Sequence, residues 1–156
     1  SAVTSLSVWE INYLISKIKV SEVMTRKVIT VKADTPIEEA ARIMADAKIG
    51  GLPVMSDGKL VGIITETDLF KIFLEMMGAR QKATRVTATI SDQPGTLGKL
   101  TKAVAGAGGN IISLGMFAGP DASTKVVTFK VVGMKKDSIR RELGKFVKKF
   151  WDIRIS

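Results

Sequence analysis

The sequence contains no cysteine and no histidine among its 156 residues. Without cysteine the chain can form no disulfide, no thiolate nucleophile and none of the usual zinc fingers. Without histidine it lacks the commonest general base and the commonest transition-metal ligand. We therefore expect a protein that is not an enzyme, with no catalytic residues, no metal site and no resident cofactor.

Long apolar runs are also missing. No run approaches the roughly 18 apolar residues that a membrane span needs, and the N-terminus lacks the charged-then-apolar order of a signal peptide. We therefore expect no membrane partner and a cytoplasmic location. Hydrophobic residues still make up 46% of the chain, which is enough for the core of one domain or of two small ones.

Charge is divided unevenly along the chain. Residues 1–79 carry 9 Lys and Arg against 10 Asp and Glu, whereas residues 80–156 carry 15 against 5. Because the whole excess of positive charge lies in the second half, the sequence favours two domains. Any broad anionic partner would bind the C-terminal one.

Residues 62–68, Gly-Ile-Ile-Thr-Glu-Thr-Asp, are the stretch that points most directly to a function. A short apolar strand over residues 60–64 is followed by Thr65 and, three residues later, Asp68, the pattern of a helix cap. The first turn of a helix leaves backbone amides unpaired and directs the positive end of its dipole toward an anion such as phosphate. Asp68 returns to the same side and can accept two hydroxyl hydrogen bonds, as from a ribose diol. An ordinary helix cap is the alternative reading of the same two residues.

The residues before this stretch predict two further helices. A helix over residues 8–18 has Ser7 as its cap, with Trp9 and Tyr13 beside its apolar stripe and expected to pack against a neighbour. A second helix is predicted from Thr35, as cap, through Pro36 at the first helical position to about Lys48, with Glu38 completing a capping box. Its predicted core face consists of Ile37, Ala40, Ala41, Met44 and Ala47. Gly50 and Gly51 are predicted to end the helix.

Strands are predicted around these helices at residues 28–31, 52–55 and 60–64, the last two joined through Asp57-Gly58. A helix follows from Thr65 to about Met77. The predicted order of elements in residues 20–77 is thus β-α-β-β-α. These residues resemble a cystathionine-β-synthase-type (CBS) domain. The resemblance rests on the hallmark from Gly62 to Asp68, the opening Val-Ser-Glu-Val-Met-Thr at 20–25 and the middle Ile-Gly-Gly-Leu-Pro-Val at 49–54.

The CBS resemblance implies an adenosine-ligand sensor, with AMP, ATP or S-adenosylmethionine as the regulatory ligand. Thr65 would lie near phosphate and Asp68 on ribose. Ile29 and Thr30 on the first strand, with Leu52 and Pro53 before the second, would enclose the adenine.

The second half predicts a β-α-β-β-α-β order, which is ferredoxin-like, so the expected fold class of the whole chain is α+β. Strands are predicted at residues 85–90, 111–117 and 125–132. The first helix has Leu97, Leu100, Val104 and Ala105 on one face and ends at Gly106, Gly108 and Gly109. A last helix, capped by Asp137 or Ser138, is predicted to bury Ile139, Leu143, Phe146, Val147 and Phe150, before a closing strand at 153–155.

Residues 84–155 resemble an ACT domain, a small-molecule-sensing module, through Asp-Gln-Pro-Gly-Thr-Leu at 92–97 and Gly-Gly-Asn-Ile-Ile at 108–112. In that family the two motifs meet across a dimer interface and bind an amino acid. The candidate residues here are Asp92, Gln93, Pro94, Gly95, Asn110 and Ile111. A Pro-Gly loop at a helix N-terminus also presents amides to a carboxylate. Alternatively, the glycines only satisfy turn dihedral angles and the domain serves assembly.

A CBS region followed by an ACT domain resembles bacterial acetoin-utilisation-type CBS-ACT proteins. The expected domains are an N-terminal linker and helix (residues 1–19), the CBS domain (20–78) and the ACT domain (84–156). CBS domains in that family come in tandem, but only one hallmark copy is present. The chain is therefore either a fragment lacking a first copy or a homo-oligomer, expected to be a dimer.

The leading interpretation is a non-catalytic regulatory ligand sensor. The alternative is a basic C-terminal surface that binds nucleic acid or another acidic partner, with the CBS copy purely structural. Arg141, Lys145 and Lys148 would share one face of the last helix, although a solvated helix face explains the pattern as well. The basic residues concerned are Lys135, Lys136, Arg140, Arg141, Lys145, Lys148 and Lys149.

Overall fold

The computed structural model describes residues 7–156 and has mixed α and β structure with two sheets. The helices are α1 (Val8–Lys17), α2 (Val20–Val23), α3 (Ile37–Ala47), α4 (Glu66–Met76), α5 (Thr96–Gly106) and α6 (Lys136–Leu143), with a 3₁₀ turn at Gly144–Phe146. The strands are β1 (Val31–Lys32), β2 (Gly51–Ser56), β3 (Lys59–Thr65), β4 (Thr84–Ser91), β5 (Asn110–Ala118), β6 (Thr124–Val132) and β7 (Lys149–Ile155). None of these helices is long and apolar enough to cross a membrane.

The chain divides into two compact units. One comprises the described residues up to Ile64, and the other is Thr65–Ser156. Helix α4 thus belongs to the same unit as the second sheet. The expected domain boundary within residues 79–83 stays a prediction.

The first unit is built on a three-stranded sheet in the order β1-β2-β3, with β1 parallel to β2. Asp57 and Gly58 form the turn between β2 and β3 and both have positive φ angles, as the Asp-Gly pair predicts. The buried apolar core of the described part of this unit is small and consists of Val31, Ala40, Met44 and Leu52. The apolar side chains Leu60, Val61 and Ile63 of β3 are each more than half exposed.

Helix α1 confirms the predicted helix and its Ser7 cap. The Ser7 hydroxyl accepts from the Glu10 amide, while the Glu10 carboxylate accepts from the Ser7 amide at 2.8 Å. The expected packing of the aromatic side chains is not found, because Trp9 is 84% and Tyr13 63% exposed.

Helix α3 forms where predicted, but its predicted capping box is wrong. Pro36 is the N-cap and no side chain caps the helix. The Thr35 hydroxyl instead accepts from the Lys32 amide at 3.1 Å, which closes the turn after β1. The helix stops at Lys48, which adopts the left-handed conformation before either of the two glycines is reached.

The predicted core face of α3 is correct only at its centre. Ala40 and Met44 are buried, whereas Ile37 is 37% exposed and Ala47 is also exposed. The first strand is a further correction: β1 contains only Val31 and Lys32, because these are the residues that pair with β2.

The second unit contains a four-stranded antiparallel sheet in the order β5-β6-β4-β7. The connections from β4 through α5 to β5, and from β6 through α6 to β7, each pass over a neighbouring strand. Alternate residues of the strands pack with α5 and α6 into one core. Its members are Val86, Ala88, Ile90, Leu100, Val104, Val127, Phe129, Val131, Met134, Ile139, Leu143 and Ile153.

The C-terminal elements differ from their prediction. Helix α6 ends at Leu143, and the closing strand begins at Lys149 rather than at residue 153. Phe146, Val147 and Phe150 still pack against the core, but from a 3₁₀ turn and a strand. The helical spacing of these apolar residues therefore did not indicate a single helix. Residues of α6, of the 3₁₀ turn with Val147 after it, and of β7 all pack into the same core.

The sheet face opposite α5 and α6 holds a buried lysine. Lys130 alternates with the core residues Phe129 and Val131, so it points to the other face, and it is only 4% exposed. Its ammonium group donates to the carbonyl oxygens of Gly78 at 2.9 Å and Gln81 at 2.7 Å. Because a buried ammonium group without partners costs several kcal/mol, these bonds are needed for the lysine to lie there. The segment that follows α4 is thus attached to this face.

Candidate functional site

The junction of β3 and α4 has the geometry expected for the candidate nucleotide site. Thr65 is the last residue of β3, has extended backbone angles and is the N-cap of α4. One carboxylate oxygen of Asp68, Oδ2, accepts from the Thr65 amide at 3.0 Å and from the Thr65 hydroxyl at 2.7 Å. The Thr65 hydroxyl oxygen accepts from the Asp68 amide at 3.4 Å. The two residues form a complete capping box.

This capping box leaves groups available for a ligand. Asp68 Oδ1 accepts no hydrogen bond from the described residues, and the Asp68 side chain is only half-buried. The backbone amides of Glu66 and Thr67 belong to the first helical turn, where amides have no partner within the helix. A carboxylate oxygen and two amides at the positive end of α4 are a suitable set for a ribose hydroxyl and a phosphate.

The electrostatics of Asp68 favour its charged form. Hydrogen bonds from the side chain and backbone of Thr65 lower the pKa of the Asp68 carboxyl, and the charge of Lys71 adds to the effect. Asp68 is therefore an acceptor at neutral pH. This geometry is compatible both with an ordinary helix cap and with a ligand site, because the capping box uses only Oδ2 of the Asp68 carboxylate.

The four residues expected around the adenine belong to the first unit. Ile29 and Thr30 are exposed and precede β1, so their placement on the first strand is corrected. Leu52 lies in β2 rather than before it and is fully buried, which leaves only its backbone to meet a ligand. Pro53, also in β2, is half-buried.

The candidate amino-acid residues form two groups. Asp92, Gln93, Pro94 and Gly95 are exposed in the loop between β4 and α5, and Gly95 is the N-cap of α5 with a φ of +83°. The loop is held in place because the Asp92 amide donates to the Ser123 carbonyl at 2.8 Å. The Asp92 carboxylate forms an ion pair with Lys125 at 3.4 Å.

Asn110 and Ile111 lie at the other end of the sheet. Asn110 pairs with Val132, whereas Ser91, next to the loop, pairs with Thr124. Eight residues of β6 separate these two levels, which is about 26 Å of strand. Asn110 is exposed and Ile111 packs against the core. One chain therefore does not bring the two groups together.

The basic residues do not form the predicted helix face. Because α6 ends at Leu143, Lys145 lies in the 3₁₀ turn and Lys148 just before β7. Arg141, which remains on α6, pairs with Glu142 at 2.9 Å. Across residues 7–156 no group of three or more Asp and Glu side chains is arranged to hold a metal ion.

Lys130 is a buried residue that the sequence-based predictions missed. A lysine within a strand normally indicates a solvent-facing position. The available signal was its position between Phe129 and Val131, which places it on the second face of a sheet. The local sequence does not indicate which segment packs on that face of the sheet.

Residues 20–75 match the family model of the CBS domain, and this region of the chain is a CBS domain. The match includes the capping box of Thr65 and Asp68 and extends across both compact units.

Curated relatives are similar to part of the chain. An uncharacterised protein of Methanocaldococcus jannaschii is 36% identical over 77 residues, which are 49% of this chain and 41% of that protein. Inosine-5'-monophosphate dehydrogenase of Thermoplasma acidophilum is 46% identical over 57 residues, 36% of this chain and 12% of the enzyme. The magnesium transporter MgtE of Thermus thermophilus is 46% identical over 55 residues, 35% of this chain and 12% of the transporter. The chain spans less than half the length of each of these relatives.

Proposed function

We propose that this protein is a non-catalytic regulatory sensor that binds an adenine nucleotide, AMP, ATP or S-adenosylmethionine, through its CBS domain. The observation that carries the proposal is the Thr65–Asp68 capping box at the N-terminus of α4. It combines a free carboxylate oxygen with first-turn amides inside the region that matches the CBS model. The phosphate of AMP or ATP lies at the amides, and a ribose hydroxyl of any of the three ligands donates to Asp68 Oδ1.

The sensor reading is also supported by the kinds of relatives that share this region. One is named as an enzyme and one as a transporter, and the similar segment is 12% of the length of each, which suits an accessory module. A module that binds a ligand and controls an attached function fits such varied contexts. The identity of the regulated target is separate from the identity of the ligand.

Calorimetric titration with AMP, ATP and S-adenosylmethionine tests the proposal. We expect one of them to bind with micromolar affinity, about −8 kcal/mol, and Asp68→Asn to weaken that binding at least tenfold. Asp137→Asn is the matched control, because it removes the same charge from the first turn of another helix, α6. Absence of binding at millimolar concentrations of all three ligands would contradict the proposal, as would equal weakening by both variants.

The second unit is proposed to contain an ACT domain at residues 84–156, with the ferredoxin-like fold. The strand order β5-β6-β4-β7 and the two crossing connections support this assignment. The chain is then a protein of the acetoin-utilisation CBS-ACT type. Its amino-acid site combines the 92–95 loop of one chain with Asn110 and Ile111 of another, because one chain holds them about 26 Å apart.

The functional form is accordingly proposed to be a homodimer. Exposed apolar residues support it: Leu60 and Ile63 on β3 are 68% and 66% exposed, and Trp9 on α1 is 84% exposed. Isolated monomers rarely leave so much apolar surface in contact with water. Sedimentation equilibrium is expected to give twice the chain mass, and Ile63→Lys to shift the equilibrium toward monomer. A monomer at all concentrations would contradict the dimer.

Amino-acid binding has its own test. Calorimetry with a panel of free amino acids is expected to show binding that Asn110→Ala abolishes, whereas Asn12→Ala on the exposed helix α1 leaves it unchanged. A dimer that binds no amino acid would identify the second unit as an assembly module only.

A further inference from the structure

Helix α4 has little to hold it along its length. None of its 11 residues is buried, and isolated helices of this length are marginal in water. Its two ends, by contrast, are both fixed by hydrogen bonds. The N-terminal end has the capping box of Thr65 and Asp68.

The C-terminal end is fixed by the second sheet. Ser113 on β5 donates its hydroxyl to the Met77 carbonyl at 3.1 Å, and Lys130 on β6 donates to the carbonyls of Gly78 and Gln81. The last carbonyls of a helix have no partner within it and carry the negative end of the dipole. In α4 the carbonyls of Phe73, Glu75 and Leu74 accept from the amides of Met77, Gly78 and Ala79. The buried ammonium group lies just beyond the helix, where it holds the following turn and complements the dipole.

Among the described residues, Lys130 has no competing acidic partner. No carboxylate among residues 7–156 forms an ion pair with it, so its hydrogen bonds in the structure go to the segment after α4. Gly78 is shaped for this contact, since it is buried and has a φ of +59°. The segment between the two expected domains, residues 79–83, is therefore bound to the sheet through the Gln81 carbonyl.

We infer that Lys130 and Ser113, with the carbonyls of Met77, Gly78 and Gln81, form a latch that keeps α4 folded and couples its N-terminal ligand site to the second sheet. The coupling rests on the proposed nucleotide site. Its physical basis is the cooperativity of a short helix: ordering either end favours order at the other. A ligand on the first turn stabilises the latch, and the closed latch strengthens ligand binding by the same factor.

The latch itself is tested without any ligand, by hydrogen exchange of the full chain. The reporter amides are those of Met77, Gly78 and Ala79, which donate to carbonyls in the last turn of α4. Lys130→Met keeps the length of the side chain but removes the ammonium group, and is expected to speed exchange of these amides and of α4 at least tenfold. Amides in the centre of β4 stay protected. Lys125→Met, on the same strand, is the control and leaves α4 unchanged.

Unchanged exchange of α4 in Lys130→Met would overturn the latch. If Lys130→Met fails to fold, Ser113→Ala removes only the bond to the Met77 carbonyl. It is expected to speed exchange at the same amides by a smaller factor, and no change there would overturn the latch as well.

The coupling is tested with AMP as the probe. Saturating AMP is expected to slow exchange at residues 77–79 in the wild-type protein, and Lys130→Met is expected to weaken AMP binding several-fold although it lies at the far end of α4, roughly 16 Å from the box. Binding of AMP with no change at residues 77–79 would overturn the coupling. Absence of AMP binding in the wild type would contradict AMP as the ligand and with it this coupling, while the ligand-free exchange decides the latch separately.

Discussion

Gly78 lies directly against Ser113. A β-carbon built at position 78 would stand 3.2 Å from the Ser113 hydroxyl oxygen and 3.3 Å from its β-carbon, and the φ of Gly78 is +59°. Both the space and the backbone conformation therefore favour glycine at this position.

Gly78→Ala is expected to destabilise the second unit by at least about 1 kcal/mol, because alanine strains a left-handed conformation and crowds Ser113. Urea unfolding followed by circular dichroism measures the loss. Gly98→Ala is the matched control: Gly98 lies in α5 with open space around it, so alanine should stabilise the protein by up to about 1 kcal/mol. Equal effects of the two substitutions would contradict the role of Gly78.

Thr65→Ala is expected to cost about 1 kcal/mol, since it removes the N-cap of α4 and a hydrogen bond to Asp68. Thr65→Ser keeps the hydroxyl and should retain most of that stability. Denaturant unfolding of both variants measures the difference. A serine variant as unstable as the alanine variant would show that the methyl group, rather than the cap, stabilises the junction.

The capping box also predicts a pH dependence. The pKa of Asp68 is lowered in the folded protein, chiefly by the Thr65 side chain. Its contribution to stability is therefore fully present above the unfolded value, near pH 4, and is lost as the pH falls through the folded value. The stability advantage of the wild type over Asp68→Asn should therefore stay constant down to about pH 5 and shrink as the pH falls below about 4.

Carbon-detected NMR titration gives a direct check on the same group. The Asp68 carboxyl should titrate below its ordinary value of 3.8, and in Thr65→Ala its pKa should rise toward that value. A titration that Thr65→Ala does not move would contradict the assigned cause.

Two phenylalanines on adjacent strands provide a test of the core. Phe129 on β6 is fully buried, whereas Phe117 on β5 is 49% exposed. Phe129→Ala is expected to cost about 3–5 kcal/mol, and Phe117→Ala less than about 1 kcal/mol. Thermal unfolding measures both, and similar losses would contradict the assignment of the core to the face covered by α5 and α6.

Local signals explain which parts of the fold were predictable. Ser7 and Thr65 were each predicted to cap a helix, and both are N-caps in the structure. Each also forms a capping box with the residue three positions later, Glu10 or Asp68. The strands β4 and β6 were predicted to within one residue at each end, because apolar residues alternate along both strands and form the core-facing side of each.

The errors arose where a local pattern has more than one structural outcome. Thr35 has the spacing of an N-cap, yet its hydroxyl closes the turn after β1 instead. The apolar residues from Ile139 to Phe150 have helical spacing, yet Phe150 reaches the core from β7. Trp9 and Tyr13 were expected to be packed but are exposed, because the neighbour they would need is not supplied by the described chain.

The sequence by itself determined the parts of the candidate site that depend on neighbours along the chain. Thr65 and Asp68 must meet once a helix begins after Thr65, because residues three apart lie on the same side of its first turn. Lys130 and Gly78 are 52 residues apart, and no local preference relates them. Only the tertiary structure could bring that ammonium group to the end of α4, because the contact depends on the strand order of the sheet and on which face each strand presents.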